Sequence, residues 1–259
     1  MERAGPHSET AVESGSYAWT NPLPPVQVRR PMLYQSWRDC AFLHWDVDPD
    51  ALRPLVPPSL EVEPFQGRAW VSQISFVISR MRPAGLPPIP GLAAAAESHV
   101  RTYVTGPDGR RGIWFLSLDI QPPAAALLGR VPFALPYWSS SVRIERSPDT
   151  ARYRVRRGFP GKGHLDLSLR LAAPIPAAEE TELDHFVTAR WLLYSGVPGL
   201  RAALLAEHPR WTFRRAEVEQ VDQNILDVGG LPRQGPPRLV HFSEGVDARL
   251  GWPRPLLAR

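Results

Sequence analysis

The chain has 259 residues, 43% hydrophobic with nine tryptophans, which is ample for a sizeable core, and its formal net charge is +4. Its one cysteine, Cys40, excludes an internal disulfide and a cysteine-based zinc cluster, and it points to a reducing cytoplasm. No apolar run approaches the ~20 residues that span a bilayer, and Lys162 is the only lysine, so the basic balance reads as arginine usage from GC-rich, bacterial-like coding and not as a nucleic-acid surface.

Residues 1–30 are polar, proline-rich and free of a secretion-signal pattern, and they are expected to be a disordered extension. Order is expected from Met32-Leu33-Tyr34, with Trp37, Phe42, Leu43 and Trp45 close behind. Asp48-Pro49 reads as an N-cap and first helical position, and the short helix should stop before Pro57-Pro58. Leu60 to Glu63 alternates as a brief strand, Gln66-Gly67 is a turn, and Trp70, Ser72, Ile74, Phe76 and Ile78 share one face of the next strand. Pro83 to Gly91 is too proline-rich for anything but a loop.

The chain then enters Glu97-Ser98-His99-Val100-Arg101-Thr102-Tyr103-Val104. As a strand it places Val100, Thr102 and Val104 on one face and Glu97, His99, Arg101 and Tyr103 on the other. Turn residues 106–109 follow, then Ile113 to Leu118, apolar at nearly every position, which a hairpin lays beside the polar strand. A polar row next to a strand that wants burial on both faces points to a lined cavity, against the plainer reading of a solvated strand face. Further on, a short helix is expected around Ala124–Leu128, and strands over 142–146, 152–157 and 164–171. The arginines at 152, 154, 156 and 157 read as a solvated face with Glu145 and Asp149 nearby. Thr181 to Ser195 reads as the best helix, with Leu183, Phe186, Val187, Arg190 and Tyr194 as its stripe, and residues 211–221 and 239–242 as closing strands. Many short strands, few helices and no composition break predict one barrel-like α+β domain over residues 31–259.

Phe42-Leu43-His44-Trp45, Phe65-Gln66-Gly67-Arg68-Ala69-Trp70-Val71, Val100-Arg101-Thr102-Tyr103-Val104, the block from Gly112 to Asp119 and Leu135-Pro136-Tyr137 together resemble the YqjF-like domain of unknown function. The resemblance runs from about Trp37 to the C-terminus. It implies the acetoacetate-decarboxylase-like superfamily: a cone-shaped β-barrel with flanking helices and a pocket inside it. The superfamily's decarboxylases form a Schiff base on a lysine, and Tyr137 stands where that lysine should be. A phenol cannot condense with a ketone, so the electron sink is missing. Relatives usually carry asparagine where this chain has His99.

Glu97 and His99 have the makings of an acid–base pair. Arg101 reads either as a structural ion pair with Glu97 or as the anchor of a ligand carboxylate. Tyr137 is expected to polarise a ligand carbonyl, and Tyr103 and Trp114 to line the ligand site. The remaining histidines, His44 and His241 among them, show no metal-ligand spacing, and His44 reads as a core or rim histidine. Lys162, between glycines, reads as a hairpin tip, with a Schiff-base role as the lesser alternative. The expected function is a cavity protein for a carbonyl- or carboxylate-bearing small molecule, needing no cofactor or metal and no membrane. It either performs acid–base chemistry or binds without turnover, and self-association is left open. An arginine-strand contact with nucleic acid or protein is the weaker rival.

Overall fold

The computed structural model describes residues 23–88, 94–133, 135–197 and 200–256. Strand dominates. In chain order the strands are β1 Leu33–Val47, β2 Glu61–Val62, β3 Ala69–Pro83, β4 Ala94–Thr105, β5 Arg111–Gln121, β6 Tyr137–Ser147, β7 Thr150–Arg157, β8 His164–Pro174, β9 Leu192–Val197, β10 Leu200–Glu207, β11 Arg214–Gln223, β12 Leu239–Leu250 and β13 Arg254–Pro255. Helices α1 Pro49–Leu52, α2 Pro123–Phe133, α3 Glu182–Thr188 and α4 Ile225–Val228 punctuate them. No helix among the described residues is long and apolar enough to cross a membrane.

The pairings close on themselves. From β4 they run through β3, β1, β12, β11, β8, β7, β6 and β5, and β5 pairs back onto β4. Most contacts are antiparallel, whereas β5 meets both β6 and β9 in parallel, and α2 supplies the crossover from β5 to β6. One face of this cycle gathers Leu43, Val71, Val100, Val142, Val155, Leu167 and Phe242 into a single apolar cluster. Strands that distant in the pairing order share a cluster only when the sheet curls.

The alternation of β7 and β8 explains their placement. Ala151, Tyr153, Val155, Leu165, Leu167, Leu169 and Leu171 are buried, while Arg152, Arg154 and Arg156 point outward, the last two paired with Asp166. Arg157 has the parity of the apolar set, so it faces inward. There it binds Asp119 and Ser117, and Asp119 also accepts a bond from Ser140. The solvated-face reading therefore holds for three of the four arginines and fails for Arg157.

Three other expectations are corrected. Thr181 does cap a helix, in a capping box with Asp184, but α3 stops at Thr188. The apolar run Leu192-Leu193-Tyr194 is taken by β9, which pairs with β5 and β10, so strand pairing overrides the helical stripe. The short helix after β5 extends to Phe133. Order also begins before Met32: Val28 is buried and its N–H donates to Glu207 at 2.6 Å. Residues 1–22 of the expected extension, and residues 89–93 around the proline loop, lie outside the described residues.

Candidate functional site

β4 sits between β3 and β5, and its polar row is buried along its whole length. His99 faces Ile74 on β3 and Leu118 on β5, and Glu97 faces Phe76 and Ile120. A bulge between Val100 and Arg101 brings Phe115 opposite Arg101. Helix α3 covers the Tyr103 end with Phe186 and Val187. Ala125 and Ala126 of α2, with Tyr137, pack over the other end. Gly129 of α2 makes room for this, since a Cβ there would lie 2.3 Å from the Tyr137 ring. Glu97, His99, Arg101 and Tyr103 are all less than a tenth exposed. Burying four such groups is costly unless each is hydrogen-bonded.

Most of that requirement is met. His99 Nδ1 and Glu97 Oε1 lie 2.9 Å apart, and the Tyr137 hydroxyl donates to Glu97 Oε2 at 2.9 Å. Arg101 Nη2 donates to the carbonyl of Val187 at 3.0 Å, and the Tyr103 hydroxyl reaches the same oxygen at 2.7 Å. Two atoms are left over: His99 Nε2 and Arg101 Nε are buried without a hydrogen-bond partner. The Glu97–Arg101 ion pair entertained from the sequence is not formed. The carboxylate is taken by His99 and Tyr137, and no carboxylate stands within ion-pair distance of Arg101 among the described residues.

Burial pushes the His99 pKa below the ordinary imidazole value, against the opposing bond and charge of Glu97, so the ring is neutral at pH 7. Burial also lowers Arg101, with Tyr103 opposing, without taking a guanidinium near neutrality. The Tyr137 phenol is raised well above its usual value, first by burial and then by the Glu97 charge and bond, so it stays protonated. A neutral His99 whose Nδ1–H is given to Glu97 carries a bare lone pair on Nε2.

The structure thus brings Glu97, His99, Tyr137, Arg101 and Tyr103 onto one sheet face but sends Trp114 elsewhere. Trp114 pairs with Thr102 on the opposite face, and its indole donates to the Leu55 carbonyl. Tyr137 gives its proton to Glu97 and has none free for a ligand carbonyl. The expected open cavity at this row is closed by aromatic packing. Phe76 and Phe115 both meet the His99 ring edge-on, at centroid distances of 5.7 and 5.0 Å. An open cleft of about 610 Å³ lies instead among Tyr34, Arg80, Arg82, His208 and Arg249, and a far smaller one beside His185. Lys162 is exposed in the turn after β7. Among the described residues no group of three or more His, Cys, Asp or Glu is placed to hold a metal.

Sequence reasoning missed a second set of polar residues joined to this face. His44 faces Ser72 across β1 and β3, and Ser72 faces Arg101 across β3 and β4. His241 on β12 sits opposite Phe42, two residues from His44. The available signal was parity, since Ser72 falls on the same strand face as Trp70, Ile74 and Phe76. Which strands become neighbours across nearly two hundred residues was not readable.

Comparison with known proteins follows the same outline. The model of the DUF2071 family, described as an uncharacterized conserved protein, matches residues 34–247. The uncharacterized protein YqjF of Bacillus subtilis (strain 168) is 35% identical over 225 residues, covering 86% of this chain and 91% of that protein. Among solved structures, an acetoacetate decarboxylase-like enzyme from Sphingomonas wittichii RW1 aligns with a TM-score of 0.62 at 14% identity, covering 92% of this chain and 98% of that one. The acetoacetate decarboxylase of Legionella pneumophila aligns at 0.57 and 15% identity over 98% of each chain. The enduracididine biosynthesis enzyme MppR, complexed with pyruvate, aligns at 0.60 and 13% identity over 90% of this chain and 93% of that one. At these identities the structural likeness is one of fold.

Proposed function

The chain belongs to the DUF2071 family, and on that footing we propose that it is a small-molecule protein carrying out cofactor-independent acid–base chemistry on a carbonyl- or carboxylate-bearing apolar compound. One observation carries the reading: His99 Nε2 and Arg101 Nε, an acceptor and a cationic donor on one buried strand face, both lack partners. Leaving such atoms unsatisfied costs roughly 1–3 kcal/mol each, more for a charged group. A ligand that donates to the first and accepts from the second removes that cost. In this scheme Glu97 holds His99 in its Nε2-basic tautomer, Nε2 takes a proton from carbon or oxygen next to the ligand carbonyl, and Arg101 holds the resulting anion. Tyr137 positions Glu97. A ligand reaches these atoms when Phe76 or Phe115 turns aside, and those rings then exclude water around it.

The closed cycle of strand pairings and the decarboxylase-like neighbours support a cone-shaped barrel over residues 31–259, with this face as its ligand site. MppR is named as complexed with pyruvate, which supports a small carboxylate as the first class to try. The rival is a binding protein without turnover. A panel of keto acids, tested for a rise in melting temperature and for solvent deuterium entering beside the carbonyl, separates the two. Deuterium exchange that disappears in His99→Asn supports catalysis, and a melting shift without exchange supports binding alone. If no panel compound shifts the melting of the wild type and His99→Asn melts as it does, the site is misplaced.

Arg101→Met is expected to keep or raise the melting temperature of the free protein while removing any ligand-induced shift. The variant deletes a buried cation that no carboxylate balances, and the Tyr103 hydroxyl still reaches the Val187 carbonyl. A large loss of stability would mean that Arg101 is a framework residue. Borohydride added with acetoacetate or pyruvate is expected to leave no adduct detectable by mass spectrometry, because Tyr137 has no amine and Lys162 is solvent-exposed in the turn after β7. An adduct on Lys162 would reverse that expectation.

A further inference from the structure

We infer that Asp184, His241, His44, Ser72 and Tyr103 form a proton relay that joins the protein surface to the buried face carrying Arg101. Every link is within hydrogen-bonding distance. Asp184 Oδ1 and His241 Nε2 are 2.7 Å apart, His241 Nδ1 and His44 Nε2 3.2 Å, and His44 Nδ1 and Ser72 Oγ 2.6 Å. The Ser72 and Tyr103 hydroxyls are in direct contact, and Tyr103 also reaches the Val187 carbonyl that binds Arg101. His44, Ser72, Tyr103 and His241 are at most 1% exposed, whereas the Asp184 side chain at the far end is 14% exposed. The relay rests on the reading of that face as a ligand site, because a carboxylic acid that is held as its anion beside Arg101 in a sealed site must shed a proton.

Proton counting shows what the chain does. Each imidazole bridges two partners, and each hydroxyl has a single proton, so two arrangements fit the same heavy atoms. In the neutral one Tyr103 turns its proton from the Val187 carbonyl, which keeps the bond from Arg101 Nη2, and donates to Ser72, Ser72 to His44 Nδ1, His44 Nε2–H to His241 Nδ1, and His241 Nε2–H to the Asp184 carboxylate. Let a carboxylic acid lying beside Arg101 then release its own acidic proton, separate from the one that His99 Nε2 takes, to the Tyr103 oxygen. Tyr103 passes its own proton to Ser72, Ser72 passes one to His44 Nδ1, and His44 passes its Nε2 proton to His241. The O–H and N–H bonds broken equal those formed. The ligand is left as an anion beside Arg101, His241 is an imidazolium beside Asp184, and His44 is neutral again with its tautomer reversed. Tyr103 now donates to the Val187 carbonyl. His241 then gives up its Nε2 proton towards Asp184 and solvent.

The surroundings suit these states. Burial, then the charges of His241 and Arg101, hold His44 well below the usual imidazole value, so it conducts without storing charge. Burial alone would raise Asp184, but bonds from His241 and from the backbone and hydroxyl of Thr181 hold it at about 2, a fixed anion facing the imidazolium. The other charged groups around the chain are Arg101 on β4 and Arg190 after α3, which stands 5.0 Å from the Tyr103 ring centroid and is paired with Glu63. Phe42 and Phe213 line the two imidazoles.

Imidazole ¹⁵N spectra and the Tyr103 ring ¹³C signal of the free full-length protein, followed through a pH titration, test the relay. As the pH falls, His44 is expected to stay neutral but change from the Nε2–H to the Nδ1–H tautomer. The Tyr103 signal should move with the same midpoint. In Ser72→Ala the Tyr103 response should vanish while His44 still follows His241. A His44 that keeps one tautomer throughout, or a wild-type Tyr103 signal indifferent to His241, overturns the relay even if Ser72→Ala fails to fold. Neither outcome depends on ligand binding, so failure of the relay and failure of the ligand site are told apart.

Discussion

Replacing Arg157 with methionine is expected to cost about 3–5 kcal/mol of stability, measured as a shift of the urea unfolding midpoint. Asp119 is fully buried and Arg157 nearly so. The Arg157 guanidinium donates through Nε to Asp119 Oδ1 at 2.6 Å and through Nη2 to Asp119 Oδ2 and Ser117. Methionine would leave a carboxylate with only the Ser140 hydroxyl, at 2.5 Å, to satisfy it. The cost arises from the stranded charge and not from the pair's own strength. Adding Asp119→Leu should therefore recover much of the loss, less a contribution from Ser117 and Ser140, whose hydroxyls would lose their partner. A single-variant loss under about 1 kcal/mol would show that water reaches Asp119.

Acid is expected to weaken the fold well before the carboxylates titrate. Burial lowers His208 from the ordinary imidazole value to about 4, against the opposing bond to the Pro209 carbonyl. His44 and His99 are lowered too, again chiefly by burial. The unfolded chain binds a proton at each of these positions as pH falls through about 6.5, and the folded protein does not. Stability that is complete above pH 6.5 is thus lost progressively as pH falls, until about pH 4 for His208. By then His208 alone has removed on the order of 3 kcal/mol. His208 packs against the rings of Trp37, Trp191 and Trp211, so His208→Phe should fit and flatten the decline between pH 6.5 and 4. An unchanged slope in that variant would mean that His208 takes its proton without unfolding.

Both predictions concern groups whose importance the sequence did not display. Arg157 is the last of an arginine-rich run, and only its parity with Val155 and Tyr153 separates it from its solvated neighbours. His208 stands alone between Glu207 and Pro209, with no motif around it. In each case the environment that alters the chemistry is assembled by distant segments.

What the sequence determined by itself was local and periodic. Alternation defined the polar row Glu97, His99, Arg101 and Tyr103 and the apolar faces of β3, β7 and β8, because side chains along a strand point alternately to its two faces. The Asp48 cap, the Thr181 cap and the turn after Tyr103 were legible for the same reason: their geometry is fixed within a few residues. Tertiary structure decided the rest. It ended α3 at Thr188 so that Leu192-Leu193-Tyr194 could pair with β5 and β10. It gave Glu97 to His99 and Tyr137 instead of Arg101, and it turned Trp114 to the opposite face. It set Asp184, His241, His44 and Ser72 in line with Tyr103. Such contacts depend on which strands become neighbours and in what register, and that choice is made by burying apolar surface over the whole chain, to which no single stretch of sequence is a guide.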